Sequence, residues 1–214
     1  MFPTLINALR ETLFMVLASS LLTIVIGIPL GALFANIATI DNSLIRSIYY
    51  AFYTITQLAK TIPYLLIMLL FIPLIDWLIG HKISYHIATI VPLTTAGSLV
   101  LAGKVFNIVS EQYATWSIPS KSMGATKNQT FWLILVPECM SAIILASANT
   151  CSLLVGFSTI AGALGAGGLG ELAIEKSIHD PNIPLVLACI AILVVIQQLI
   201  EYTGTVVVQQ TQPR

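Results

Sequence analysis

The chain is built from long apolar runs separated by short polar connections. TLFMVLASSLLTIVIGIPLGALFANI, residues 12–37, passes without a charged side chain. TIPYLLIMLLFIPLIDWLIG, residues 61–80, comes next, and a helix here can begin as early as about Ser47. YHIATIVPLTTAGSLVLAG, residues 85–103, is the least apolar run. FWLILVPECMSAIILASANTCSLLVGFSTI, residues 131–160, and IPLVLACIAILVVIQQLIEYTGTVVV, residues 183–208, complete the set. Crossing a bilayer takes about 20 mostly apolar residues of helix. The pattern predicts an all-α, polytopic membrane protein with five transmembrane helices at about 12–37, 48–80, 85–108, 131–160 and 183–208. They form a single transmembrane domain over residues 1–214, and five crossings put the termini on opposite sides.

Composition removes the soluble alternative. Of 214 residues, 57% are hydrophobic and 8% charged, against about 25% charged in soluble domains. Eighteen charged side chains, nine of each sign, cannot cover a water-exposed surface of this size. Net charge is zero, so nothing in the charge balance points to a nucleic-acid partner. The bias of Lys and Arg toward the cytoplasm sets the orientation. With the N-terminus outside and the C-terminus cytoplasmic, the inner side collects Arg46, Lys60, Lys104, Lys121, Lys127 and Arg214, and the outer side Arg10, Lys82 and Lys176. The N-terminus is not read as a cleavable signal, because Arg10 and Glu11 precede a long apolar run with no small-residue cleavage site.

Candidate chemistry is sparse. Asp76, His86, Glu138 and Glu201 fall within the spans. Each is placed by the pattern within a turn or two of an interface, which favours anchoring over function. His81 and His86 are five apart and cannot share a helical face as metal ligands would. Cys139, Cys151 and Cys189 lack ligand spacing and read as small core residues. No zinc-protease, nucleophile-elbow or P-loop motif is present, so no catalytic, cofactor or metal residue is assigned. A transporter built on this chain would borrow its ATPase. GAGGLG at 165–170 fits a dinucleotide-binding pattern but follows a membrane span rather than a strand. Its glycines are read instead as a flexible, close-packed outer turn within the loop at about 161–182. Gly27 and Gly31 form a pair suited to close helix approach. Pro29, Pro63, Pro73, Pro92 and Pro137 punctuate the spans, as they do in transporters and in membrane helices generally.

The central polar stretch, SKSMGATKNQT, carries a resemblance. Gly124, Ile134 and Pro137 match the second half of a signature, EAA–x3–G–x9–I–x–LP, with Val136 where Leu is usual. TIPYLLIMLLFIPL, ATIVPLT, SMGAT and GALGAGGLG follow in the same order and spacing. In these respects, from about residue 5 to 205, the chain resembles the permease subunit of methionine-type ABC importers, within the binding-protein-dependent inner-membrane component family. The resemblance implies a bacterial inner-membrane protein pairing with a second copy of itself. It also implies two cytoplasmic P-loop ATPase subunits, which bind the ATP, and an extracytoplasmic lipoprotein that delivers methionine. No cofactor on this chain is implied.

The segment at about 112–130 would form a short cytoplasmic coupling helix between the third and fourth spans. Ser120, Lys121, Met123, Gly124, Ala125 and Thr126 would carry the ATPase contact, with Ile134 and Pro137 starting the fourth span. Gly124 suits the C-terminal turn of a short helix. Phe157 and Ile160 would line an apolar gate, and Gly162, Gly165, Gly167, Gly168 and Gly170 an outer hinge. The first half of the signature departs: Ile118, Pro119 and Ser120 stand where an acid and small residues are usual. With Pro119 in its first turn the coupling helix would start late, Glu111 and Trp116 taking up part of the contact. A permease for another small apolar amino acid or peptide, or a membrane scaffold no longer coupled to an ATPase, are the alternatives.

Overall fold

The apolar runs fold as helices in the computed structural model, which describes residues 2–37, 43–79, 85–178 and 181–211. In chain order they are α1 (Phe2–Ile37), α2 (Ser43–Thr61), α3 (Tyr64–Ile79), the one-turn α4 (Tyr85–Ala88) and α5 (Ile90–Ser122). The short α6 (Lys127–Gln129), a π-helical turn (Thr130–Leu135), α7 (Val136–Ala163), α8 (Gly168–Ile178) and α9 (Ile183–Thr211) follow. No strand occurs among the described residues.

Among the described residues, four helical runs are long and apolar enough to cross a membrane: Pro3–Asn36, Ile90–Ser122, Thr130–Ala163 and Ile183–Gln210. They coincide with the first, third, fourth and fifth expected spans. The expected second span, 48–80, is broken. α2 stops at Thr61 and α3 starts at Tyr64, because Pro63 has no N–H to donate and disfavours helical backbone at Ile62. With 16 residues, α3 is about 24 Å long, short of a hydrocarbon core of about 30 Å.

Helix ends also differ from expectation. α5 does not stop near 108 but runs to Ser122 as one rod of 33 residues, about 50 Å long. Residues 112–122 are therefore its last turns rather than a separate helix. Pro119 lies in the final turn of α5, not in the first turn of a new helix. There it forgoes the bond to the Thr115 carbonyl and its ring crowds that carbonyl. Pro137 follows directly on the π-helical turn. A proline ring collides with the carbonyl four residues back, and the widened turn carries that carbonyl off the α-helical position.

Packing follows side-chain size. A Cβ on Gly27 would lie 3.0 Å from Leu101 Cβ, and one on Gly31 would lie 2.5 Å from the Ala102 carbonyl oxygen. The expected close approach is thus realised between α1 and α5. Phe106 and Val109 of α5, Phe131 and Leu135 of the π-helical turn and Phe52 of α2 form one apolar core. There Phe52 stacks on Phe34 with ring centroids 3.7 Å apart. At the opposite end Met15, Leu93, Ala96, Leu154 and Ala161 form a second core. A third, around Leu169, Leu172, Leu185 and Cys189, joins α8 to α9. Leu17, Leu21 and Val25 of α1 and Ile190, Val194 and Leu199 of α9 are exposed, the apolar outer surface that a lipid environment accommodates. All three cysteines are buried.

Two charged residues link other helices to α7. Lys104, assigned only to the inner side, packs inside α5 and donates from Nζ to Thr150 Oγ1 of α7 at 3.1 Å. Glu201 lies in the body of α9, where its Oε1 accepts from Ser152 of α7 at 2.8 Å, so it ties two helices rather than anchoring one end. Of the other charge assignments, His81, Lys82 and Arg214 lie outside the described residues. So do the side chains of Arg46, Lys60, Asp76 and His86.

Candidate functional site

Between α5 and α6 the chain turns in three residues, 123–125, and each of their backbone N–H groups has a partner. The Ala125 N–H donates to the Ser120 carbonyl at 3.0 Å and the Gly124 N–H to the Lys121 carbonyl at 3.0 Å. These are the two bonds of a Schellman end, which requires a left-handed residue between them. Gly124 supplies it at φ +78°. Thr126 then opens the next helix with a capping box. Its Oγ1 accepts from the Gln129 N–H at 3.3 Å, and Gln129 Oε1 accepts from the Thr126 N–H at 2.9 Å. Ser120 is buried, its hydroxyl donating to the Trp116 carbonyl at 2.6 Å.

The result is a stiff knob. Ile118 (74% exposed) and Met123 (70% exposed) project from it with Lys121 and Lys127. Exposed apolar side chains beside lysines suit a protein partner. The structure brings Ser120, Lys121, Met123, Gly124, Ala125 and Thr126 into this one turn. Ile134 and Pro137 belong to the rising helix instead; eleven helical residues place Pro137 about 16 Å along the axis from Thr126.

Phe157 and Ile160, the residues expected at a gate, lie toward the other end of α7. Phe157 stacks on Tyr64 with ring centroids 4.3 Å apart and an interplanar angle of 6°. Ile160 packs against the same core. Tyr64 was not among the expected residues; its one sequence signal is its place directly after the helix-breaking Ile62-Pro63.

Beyond Ile160 α7 turns into α8 through the glycines. The Gly165 N–H donates to the Gly162 carbonyl at 3.0 Å and the Ala166 N–H to the Ala161 carbonyl at 3.1 Å, a second Schellman end. Gly165, Gly167 and Gly168 have φ of +86°, +88° and +83°. The corner is close-packed, and its backbone N–H groups find partners. The first N–H groups of a helix have no partner within it, and α1 supplies two partners. Glu11 Oε2 accepts from the Gly168 N–H at 2.9 Å, and Thr12 Oγ1 accepts from the Leu169 N–H at 2.8 Å. Glu171 Oε2 accepts from the Gly167 N–H at 2.7 Å. Gly162 and Gly170 interlock the two helices: a Cβ on either would come within 2.6 Å of backbone, at the Glu171 nitrogen or the Thr159 oxygen. An open cleft of about 510 Å³ lies over this corner, bordered by Glu11, Glu171, Glu175 and Tyr85. Among the described residues no group of three or more His, Cys, Asp or Glu could hold a metal.

A family profile described as "binding-protein-dependent transport system inner membrane component" matches residues 27–208. The chain belongs to this family. As an inner-membrane component it is a transport subunit rather than an enzyme, and its long apolar helices make it a multi-pass one. This inner-membrane component is 29% identical over 212 residues to a probable D-methionine transport system permease protein, MetI, of Vibrio cholerae. The match covers 98% of the chain and 93% of that protein. It is 29% identical over 178 residues to the methionine import system permease protein MetP of Bacillus subtilis, covering 83% and 75%. In three dimensions it resembles a chain of the MetNI methionine ABC transporter in an inward-facing conformation. There the TM-score is 0.87 at 28% identity, covering 100% of this chain and 98% of that one. A crystal structure of an amino acid ABC transporter with histidines shares the fold, with TM-score 0.76 at 18% identity.

Proposed function

We propose that this chain is the permease subunit of an ATP-driven importer that moves methionine, L, D or both, across the bacterial inner membrane by alternating access. The observation that carries the reading is the coincidence of its whole length with a chain of the inward-facing methionine transporter. The names of the relatives from Vibrio cholerae and Bacillus subtilis support the same substrate. Two copies form the path, α2 and α3 together supplying a fifth crossing of each. The N-terminus is outside and the knob at 120–126 faces the cytoplasm. There it seats in a P-loop ATPase subunit, one for each copy, and that partner binds the ATP. A substrate-binding lipoprotein delivers the amino acid to the outer face.

The geometry suits this mechanics. A coupling element must be exposed to meet the motor and stiff to transmit its motion. A three-residue turn closed by a Schellman end and a capping box is both. Since α5 enters the knob and α6 leaves it with no slack, closure of the ATPases moves α5 and α7 together. Phe157 and Ile160 close the path in the resting state, and the pinned corner at Gly162–Gly170 serves as a fixed pivot at their outer side.

Purification in mild detergent tests the engine, and proteoliposomes test the cargo. The tagged chain should retain a P-loop ATPase. With the binding protein outside and ATP at the nucleotide-binding side, the complex should accumulate labelled methionine. Accumulation of a different small apolar amino acid or peptide would correct the substrate. Loss of both ATPase and accumulation would leave an uncoupled scaffold and overturn the reading.

A further inference from the structure

We infer that Tyr64 is the moving half of the gate: its ring latches α3 onto Phe157 of α7, and the latch opens when α3 swings about the break at Ile62-Pro63. The inference rests on the import reading for its purpose but on this chain's own geometry for its mechanism. α2 and α3 are separate helices: the Ile62 N–H donates back to Leu58 on one side of the break and the Leu66 N–H to Pro63 on the other. Such a junction bends more readily than continuous helix. Beyond it, only Tyr64 and Met68 of α3 are buried among the described residues; Leu65, Leu66, Leu69, Leu70, Leu74 and Trp77 are exposed. Within one copy α3 is therefore held by one face at its first two turns, and the flat stack of Tyr64 on Phe157 is the first of those holds. α7 cannot follow α3 freely, because its outer end is interlocked with α8 and tied through α8 to Glu11 and Thr12.

The hydroxyl gives the latch its balance. Tyr64 is 4% exposed, and its hydroxyl has no hydrogen-bond partner among the described residues. A buried donor left unpaired opposes burial, while the stacked rings favour it. The closed state thus carries an internal penalty that is relieved when Tyr64 swings out to a polar partner or to water. An apolar latch of the same shape would close more firmly. Tyr64 is a positioning residue in this scheme, acting through the ring it holds.

The test uses the assembled transporter in proteoliposomes and needs no assumption about cargo. In a Ser158→Cys background the thiol sits next to Phe157 and starts buried, and its labelling by an impermeant maleimide reports opening. Tyr64→Phe keeps the stack and removes the unpaired hydroxyl, so labelling should slow about fivefold or more, and ATP-dependent uptake should slow with it. Tyr64→Ala should speed labelling, and combining it with Phe157→Ala should add nothing, since each removes the same contact. Wild-type labelling and uptake in Tyr64→Phe would overturn the latch, as would additive effects of the two alanines. Where Tyr64→Ala fails to assemble, Tyr64→Phe alone decides. Failure of the import reading is recognised separately, as absence of ATP-driven accumulation by the unsubstituted chain.

Discussion

Replacing Gly124 separates the shape of the knob from its composition. The residue has φ +78°, and a Cβ built there would meet nothing within 4 Å. Gly124→Ala therefore adds no collision and isolates the backbone cost. An L-residue in the left-handed region costs about 1–2 kcal/mol, and the lower chain entropy of unfolded Ala returns about 0.4–1 kcal/mol. The net effect is a destabilisation of the turn on the order of 1 kcal/mol. Gly124→Asn should cost less, since Asn tolerates this conformation. Gly124→Pro cannot reach the angle at all, its ring fixing φ near −65°, and it also loses the N–H that donates to Lys121. Its turn must refold into another shape. The assay is ATP-dependent uptake beside the amount of ATPase retained on purification. Asn should resemble wild type and Ala should be mildly weakened. Pro should insert in the membrane yet abolish coupled uptake. Normal uptake by Gly124→Pro would refute the claim that this turn geometry transmits the motion.

Other outcomes follow from the corner and the topology. Thr12→Val keeps the side-chain shape but strands the Leu169 N–H now held at 2.8 Å, which should cost about 1–3 kcal/mol and appear as a lower melting temperature of the purified protein. Gly162→Ala drives a methyl to within 2.6 Å of the Glu171 nitrogen. It should cost about 1–3 kcal/mol, read by the same melt, and the less exposed corner should loosen to proteolysis. Lys121→Cys should resist an impermeant thiol reagent added outside cells and react in inverted vesicles; the reverse would invert the topology. The three native cysteines are buried, so background labelling should be low.

What the sequence made legible was what composition enforces along the chain. Runs such as 12–37 and 183–208 can satisfy neither water nor a soluble core, so their helical fate needs no tertiary information. Gly27 and Gly31 were legible for a similar reason, their spacing placing both on one helix face. The knob was legible in part. The glycine announced a left-handed turn, but the length of α5 did not show, because Pro119 reads as a breaker yet lies within the helix. The break between α2 and α3 was hidden by unbroken apolarity across Ile62-Pro63. Glu11, Thr12 and Tyr64 were missed because their roles depend on partners more than 90 residues away in sequence. No local pattern encodes such pairings. Glu201 was misjudged for the same reason, its meaning resting on Ser152 of another helix.

The π-helical turn over Thr130–Leu135 acts as an angular setting. One residue more per turn than the surrounding helix is equivalent to a single inserted residue. Removing one residue from this stretch would leave a continuous α-helix and turn everything before it by about 100° around the axis. The core face of α7 would stay where α5 and α9 hold it, while the short α6 with Lys127 would turn to a new bearing against the end of α5. The phase between the part that packs and the part that docks is therefore written in six residues. A one-residue length change there would re-aim α6 relative to α5 without altering a single side chain of the knob.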